Sequence, residues 1–288
     1  MNAIEKFKAA LSAPEIQVLH QCLKQAMQPL PVDAVPWYLG GSQTAASYIT
    51  PAHAKVLQSL SSQWTNLPLG LHWDTPERTP ASRSRALAEF AKQLHDLGYV
   101  RGWRNEKFSF WEDHVIGLGK HSLEPTSHLP AAFEMERSAF RFFGLRSHAV
   151  HVNGFTHEGH LWCGRRAVTK PTDPGMLDNV AAGGLPVGES LQTCAVREMA
   201  EEAGLSETLA LTAVSHGHVS TCRAVVTGWH YETLWVYNLL VPPDMTPVNQ
   251  DGEVSELTCL SSKQVVEAIA SNAFTVDAAC VIAHGVLN

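Results

Sequence analysis

Glu198, Glu201 and Glu202 stand close together in the chain, behind a run carrying glycines at 183, 184 and 188. Wound as a helix at roughly 100° per residue, the three fall within about 100° of arc. Carboxylates crowded on one stripe repel, so a helix that keeps three of them needs a counter-charge. Divalent cations would supply it. An all-oxygen ligand set suits Mg²⁺ or Mn²⁺, ions that commonly work together with substrate phosphates. The chemistry open to such a site is attack by water on a phosphoryl group, with cations lowering the pKa of a bound water. A solvated acidic helix face is the plainer alternative.

The neighbouring residues argue for the sharper reading. Ala195, Val196, Met199 and Ala203 make an opposite, apolar stripe, which turns the carboxylates away from a core. Ser190 is placed to cap the helix, and Gly204 to end it in a left-handed conformation. Arg197, one turn before Glu201, can hold that carboxylate in place. The glycines ahead of the helix let the backbone turn sharply, so that a main-chain carbonyl near Ala182 could also face the cations.

Residues 183–205 match the pattern G-x5-E-x7-R-E-U-x-E-E-x-G-U, with U apolar, at every defined position: Gly183, Glu189, Arg197, Glu198, Met199, Glu201, Glu202, Gly204 and Leu205. On this segment the chain resembles the Nudix hydrolase superfamily. The flanking stretches FFGLRSHAVHVNGF, GRRAVTKPTDPGMLDNVAAGG and DGEVSEL resemble the Nudix module fused to thiamine pyrophosphokinase in some fungi, and its free-standing bacterial and plant relatives. VPWYLGG and RGWRNEKFSFW look like the helical-rich domain that precedes that module.

The resemblance implies an α/β fold, a Nudix α/β/α sandwich with a mixed sheet, preceded by a smaller α+β domain. It implies an Mg²⁺-dependent (or Mn²⁺-dependent) pyrophosphatase acting on a small-molecule diphosphate linked to an organic group. Thiamine diphosphate or its oxidised analogues are the expected substrates, with phosphate and a monophosphate as products. The alternatives are a Nudix hydrolase of nucleotide-type diphosphates such as ADP-ribose, or a non-catalytic Nudix-fold binding protein. Isopentenyl diphosphate isomerases share the fold, but their pattern places a cysteine and a metal-binding histidine where this chain has Ala181-Ala182-Gly183-Gly184.

By the same resemblance Glu198 and Glu202 are the principal metal ligands, with Glu201 shaping the shell. Glu189 and Arg197 tie loop to helix. A further acid outside the box is expected at Glu253, with Asp251 and Glu256 as alternatives. Arg165, Arg166 and Lys170 are placed to neutralise a diphosphate. Ordinary hairpin-end charge is their bland reading. Asn179 serves either the substrate or the backbone of its own loop. Trp229, His230, Tyr231 and Trp235 offer stacking surfaces for a flat heterocycle, unless they are core. Trp37 and Tyr38 could close the pocket from the first domain.

These residues need elements to position them. Ser12 and Pro14 open a helix with Ile16, Leu19 and Leu23 at helical spacing. PWYLGGSQTAASYIT reads as a hairpin or bent strand, and Thr50-Pro51 opens a second helix. Residues 82–97 form a third, Lys107–Trp111 a strand, and Ala131–Phe143 a fourth helix; the segment between these last two reads as loop. From Ser147 a hairpin turns at THEG, followed after the box by strands near Leu211–Val219 and Glu232–Val241. Ser261 or Ser262 starts one helix, and Thr275 caps another. The expected division is an accessory domain over 1–143 and a Nudix domain over 144–288.

The 288 residues, 45% hydrophobic, fit a water-soluble globular chain of one large or two modest domains. Residues 1–143 carry 14 basic against 13 acidic side chains, and 144–288 carry 7 against 15. A catalytic half of that sign argues against nucleic acid as a ligand. No apolar run is long enough for a membrane span. The six cysteines lack paired spacing and no leader is evident, so reduced thiols and a cytoplasmic location are expected. A homodimer formed through the first domain remains open.

Overall fold

A computed structural model describes residues 1–76, 79–112, 125 and 130–288. The expected loop between 112 and 130 lies almost entirely outside the described residues. The first elements are α1 (Ala3–Ala9) and α2 (Ala13–Gln25), both opened by capping boxes at Asn2 and Ser12. Next come β1 (Val35–Leu39), β2 (Ser47–Ile49), α3 (Pro51–Leu60), β3 (Trp64–Leu67), β4 (Gly70–Trp73) and α4 (Pro80–Asp96). The four strands form a sheet in the order β2-β1-β4-β3. Its core gathers Trp37, Trp64, Trp73, Phe90 and Phe143.

β5 (Lys107–Phe110) pairs antiparallel with β6 (Phe133–Glu136), which leads through a 3₁₀ turn into the short α5 (Phe140–Phe143). The helix expected over 131–143 is thus confined to its last turns. Phe133-Glu134-Met135-Glu136 alternates apolar and charged residues, a period of two that sheet pairing rewards over helix winding. The hairpin of β3 and β4 was not anticipated either.

The second layer system begins with β7 (Arg146–Phe155) and β8 (Leu161–Arg166), then β9 (Leu177–Asp178) and β10 (Ala181–Gly184). α6 (Leu191–Ala203) and α7 (Glu207–Ala210) follow, then β11 (Val214–Val225), β12 (Gly228–Leu240), β13 (Val254–Leu260), α8 (Ser262–Ala270) and α9 (Val276–Leu287). The strands make a mixed sheet in the order β11-β12-β7-β8-β13, with β10 on β7 and β9 on β8. β12 runs parallel to β7 and the other pairs are antiparallel. One face packs Val150, Val152 and Trp235 against Met199 and Ala195 of α6. On the other, Phe155, Leu161 and Cys163 meet Val265 of α8 and Ile282 of α9. The result is the α/β/α sandwich with mixed sheet, preceded by a smaller α+β region. No described helix is long and apolar enough to cross a membrane.

The core does not divide at residue 143. Phe7, Leu11 and Leu19 of α1 and α2 are buried with α8, α9 and the edge of the large sheet, not with the four-stranded sheet that follows them in sequence. Phe7 meets Phe155 edge-on at 5.8 Å. Amphipathic helices at the chain start have a helical period but no address, and here the uncovered face of α9 receives them.

Candidate active site

The site is built where β10 meets the flank of α6. Ser190 caps that helix by accepting from Thr193 N, and Gly204 ends it at φ 63°. Leu191, Ala195, Met199 and Ala203 anchor its buried face. Glu198 and Glu202 are buried as well, and both point toward β10 rather than into solvent. At Gly183 a Cβ would lie 1.8 Å from a Glu198 carboxylate oxygen, so only glycine lets the strand close over that acid. Ala182 N donates to Glu202 Oε2 at 2.9 Å. In an extended strand the N–H and C=O of one residue point the same way, which turns the Ala182 carbonyl toward the same carboxylates.

Arg197 sits at the centre of the acids. Its guanidinium holds Glu189 in two hydrogen bonds, at 2.9 and 3.1 Å, and reaches Glu198 at 2.7 Å and Glu201 at 3.1 Å. These partners outweigh its burial and raise its pKa further. Glu201 is the outer member, half exposed. Burial raises the pKa of Glu198 in spite of Arg197. Burial and the neighbouring Glu198 push Glu202 well above the ordinary carboxylate range. Two buried acids that resist ionisation are what a bound cation would relieve.

Glu253, in the loop before β13, completes the cluster. Carboxylate oxygens of Glu202, Asp251 and Glu253 lie within 4.8 Å of one another. This donor set is all oxygen and fits Mg²⁺ or Mn²⁺. Lys170 bonds Glu253, and Arg104 approaches it at 3.8 Å. Glu256 points elsewhere, pairing with Arg165 at 3.3 Å on the exposed side of the β8–β13 ladder.

Glu198, Glu253 and Ala182 border a cavity of about 650 Å³. Arg166 and Lys170 line it; Arg165 does not, because alternation along β8 sends it to the opposite face. Arg166 bonds Asp178 at 2.8 Å. Asn179 is not on the cavity wall: its side chain bonds Asn153 and His151 at 2.8 Å inside the sheet. Trp229 and Tyr231 line the cavity; Trp229 is almost wholly buried, and Tyr231 carries the Arg146 guanidinium 4.5 Å above its ring. Trp235 is core, donating to His148 at 3.3 Å. Trp37 and Tyr38 do not close the pocket. Trp37 donates to Phe143 O inside the first core, and Tyr38 stacks on His72.

The first region still reaches the site, through other residues. Arg104, Phe108, Arg137 and Arg141 form a wall of the cavity. Phe108 packs over Gly184, where a Cβ would meet its ring at 2.3 Å. For Arg104 and Phe108 the RGWRNEKFSFW stretch carries a signal, in arginines interleaved with aromatics. His151 carries none, being a single polar residue between two valines.

A second acidic group, His230, Glu232 and Asp277, lines the far end. Arg223 binds Asp277 through both terminal nitrogens at 2.8 and 2.9 Å, and Thr221 donates to it at 2.7 Å. Burial would lower the His230 pKa, but Asp277 and Glu232 raise it to about 9. With a guanidinium and an imidazolium against two carboxylates, this cluster is already neutral, so it reads as an internal ion-pair lattice rather than a cation site.

Residues 145–279 match the NUDIX domain family. The chain is 33% identical over 244 residues to "Nudix hydrolase 24, chloroplastic" of Arabidopsis thaliana, an alignment spanning 82% of this chain and 62% of that one. It is 36% identical over 198 residues to "Nudix hydrolase 20, chloroplastic" of the same plant, covering 68% and 50%. Against both curated relatives the chain thus spans less than two thirds of their length. Among solved structures, a Deinococcus radiodurans protein is 17% identical, with a TM-score of 0.46 over 64% of this chain and 100% of its own.

Proposed function

We propose, from the match of residues 145–279 to the NUDIX domain family, that the chain is a metal-dependent hydrolase of a diphosphate linked to an organic group. One observation carries the reading: Glu198 and Glu202 are buried side by side with raised pKa values, and Glu253 sets its carboxylate against Glu202. Glu198, Glu202, Glu253 and the Ala182 carbonyl would hold the cations, and Glu201 would shape their outer shell. When bound, divalent cations neutralise the diphosphate and lower the pKa of a water. Arg197 holds the acids in register through Glu189. Arg166 and Lys170 would meet phosphoryl oxygens, meeting the charge that grows on them in the transition state. A carboxylate left free by the cations orients the attacking water.

For the organic group we place a nucleotide-type diphosphate, such as ADP-ribose, ahead of thiamine diphosphate. The cavity lining carries guanidinium groups at Arg104, Arg137, Arg141 and Arg166, which disfavour a thiazolium cation. The aromatic surfaces that would favour thiamine are partly spent inside the protein, as Trp235 and Trp37 show. The test is a diphosphate panel scored by kcat/KM, with and without Mg²⁺ or Mn²⁺: ADP-ribose, nucleoside di- and triphosphates, dinucleotides, and thiamine diphosphate with its oxidised forms. Full activity in excess EDTA would sink the metal mechanism. Thiamine diphosphate or an oxidised form outrunning every nucleotide would reverse the order of substrates.

A further inference from the structure

His151 stands on β7 directly opposite Ala182. It lines the cavity, yet only 6% of its surface is exposed. Its Nδ1 lies 2.8 Å from Asn179 Oδ1. Behind that contact runs a chain of buried amides. Asn179 Nδ2 donates to Asn153 Oδ1 at 2.8 Å. Asn153 Nδ2 donates to Asn238 Oδ1 at 2.9 Å and to Val281 O at 3.3 Å. Asn238 Nδ2 donates to Gly285 O at 3.2 Å.

The oxygen and nitrogen of an amide are told apart by their partners. Here two backbone carbonyls of α9 do so, because a carbonyl oxygen can only accept. Reversing Asn153 or Asn238 would set oxygen against oxygen at Val281 or Gly285. The direction therefore propagates along the whole chain. Asn179 must present its oxygen to the ring, and His151 must donate from Nδ1. A neutral imidazole has one N–H, so Nε2 keeps its lone pair. No described residue donates to it.

Gly285 supports the same design independently. A Cβ there would lie 2.6 Å from Asn153 Nδ2 and 2.8 Å from Asn238 Oδ1. Glycine inside a helix is unfavourable relative to alanine, and at this position it makes room for the amides.

We propose that His151 is a tautomer-locked hydrogen-bond acceptor, selecting through Nε2 an O–H or N–H donor on the organic group of the diphosphate; this rests on the hydrolase reading above. An imidazole free to choose its tautomer would accept or donate as the ligand required. Locked by α9 through three amides, the neutral ring accepts only, and a diphosphate without a donor at that point leaves the lone pair of a buried nitrogen unmet.

Long-range ¹H–¹⁵N correlation on the labelled full chain reads the tautomer directly, with the His151 signals assigned by their loss in His151→Gln. The expected pattern is a proton on Nδ1, replaced by the Nε2-protonated form in Asn179→Leu and disturbed in Gly285→Ala. An Nε2-protonated ring in the unmutated chain overturns the proposal. The kinetic arm compares the best diphosphate of the panel with methylenediphosphonate, a competitor that has no organic group. His151→Phe should lower kcat/KM for the former by roughly 10-fold or more and leave the inhibition constant of the latter unchanged, with partial recovery in His151→Gln. Equal losses for both ligands overturn the acceptor role. Absence of hydrolysis with every compound would sink the hydrolase reading instead, leaving the tautomer pattern to decide the assignment of His151.

Discussion

At Glu202 two demands conflict. The carboxylate is buried beside Glu198, and its pKa is pushed well above the ordinary value of 4.5 by that burial and that neighbour. The folded chain therefore holds a proton there that the unfolded chain releases once pH exceeds about 4.5. Stability of the metal-free protein falls as pH rises from that value toward the raised folded pKa. We expect Glu202→Gln to raise the melting temperature of the metal-free protein at neutral pH while lowering phosphate release by at least ~10²-fold, the scale of a lost transition-state contact. Mg²⁺ or Mn²⁺ should stabilise the unmutated chain and not the variant. Thermal melts with EDTA and with each cation check this, and a variant less stable than its parent in EDTA would contradict it. The placement of Glu198, Glu202 and Arg197 could be read from the sequence because it is encoded locally, in one helix and the turn before it. His151 could not, since its partner Asn179 stands 28 positions away in the sequence.

At the scale of elements, β10 is gripped from both sides. Glu198 fills the space beside Gly183, and Phe108 fills the space beside Gly184. The second contact docks the first region onto the large sheet. Gly184→Ala should raise KM for the best diphosphate and destabilise the fold, because a ring 2.3 Å from the new Cβ cannot stay in place. Phe108→Ala alone leaves a cavity and costs about 3–5 kcal/mol. Combined, the two should be far from additive, with a coupling of at least ~1 kcal/mol in a double-mutant cycle followed by urea unfolding. Additivity would mean the ring does not touch the strand. Elements with strong local signals were legible: the capped helices at Ser12, Thr50 and Thr275 begin where their caps predict. FEME was misread as helix because its alternation spans only Phe133–Glu136, too short to outweigh the helical residues after it.

For the molecule as a whole, the ion-pair lattice at the far end of the cavity ties β12 to α9. His230, buried beside Asp277 and Glu232, titrates near 9 when folded against 6.5 ordinarily. Its contribution is complete below pH 6.5 and is lost as pH rises through about 9. Glu232 runs the other way: burial opposes ionisation, but His230 holds its pKa at about 2, so its contribution is lost as pH falls toward that value. His230→Gln should flatten the alkaline limb of a plot of melting temperature against pH, and an unchanged alkaline limb would remove the imidazolium from the ledger. The architecture of the large domain was legible from its alternating pattern and glycine-rich box. The partnership of the first two helices was not, because nothing local in residues 3–25 names a surface some 250 positions away.

That partnership has a consequence for how the chain is made. Cys22 of α2 and Cys280 of α9 lie 3.6 Å apart in space and 258 positions apart in sequence. A ribosome adding about 5–20 residues per second leaves Phe7, Leu11 and Leu19 without their partners for roughly ten seconds to a minute. During that interval the nascent amphipathic helices are apolar bait, and the growing polypeptide depends on chaperones or on its own intervening sheet to shelter them. Slowed translation between residues 25 and 276 should lengthen the exposure and show as more aggregated product, with the finished protein no less stable than before.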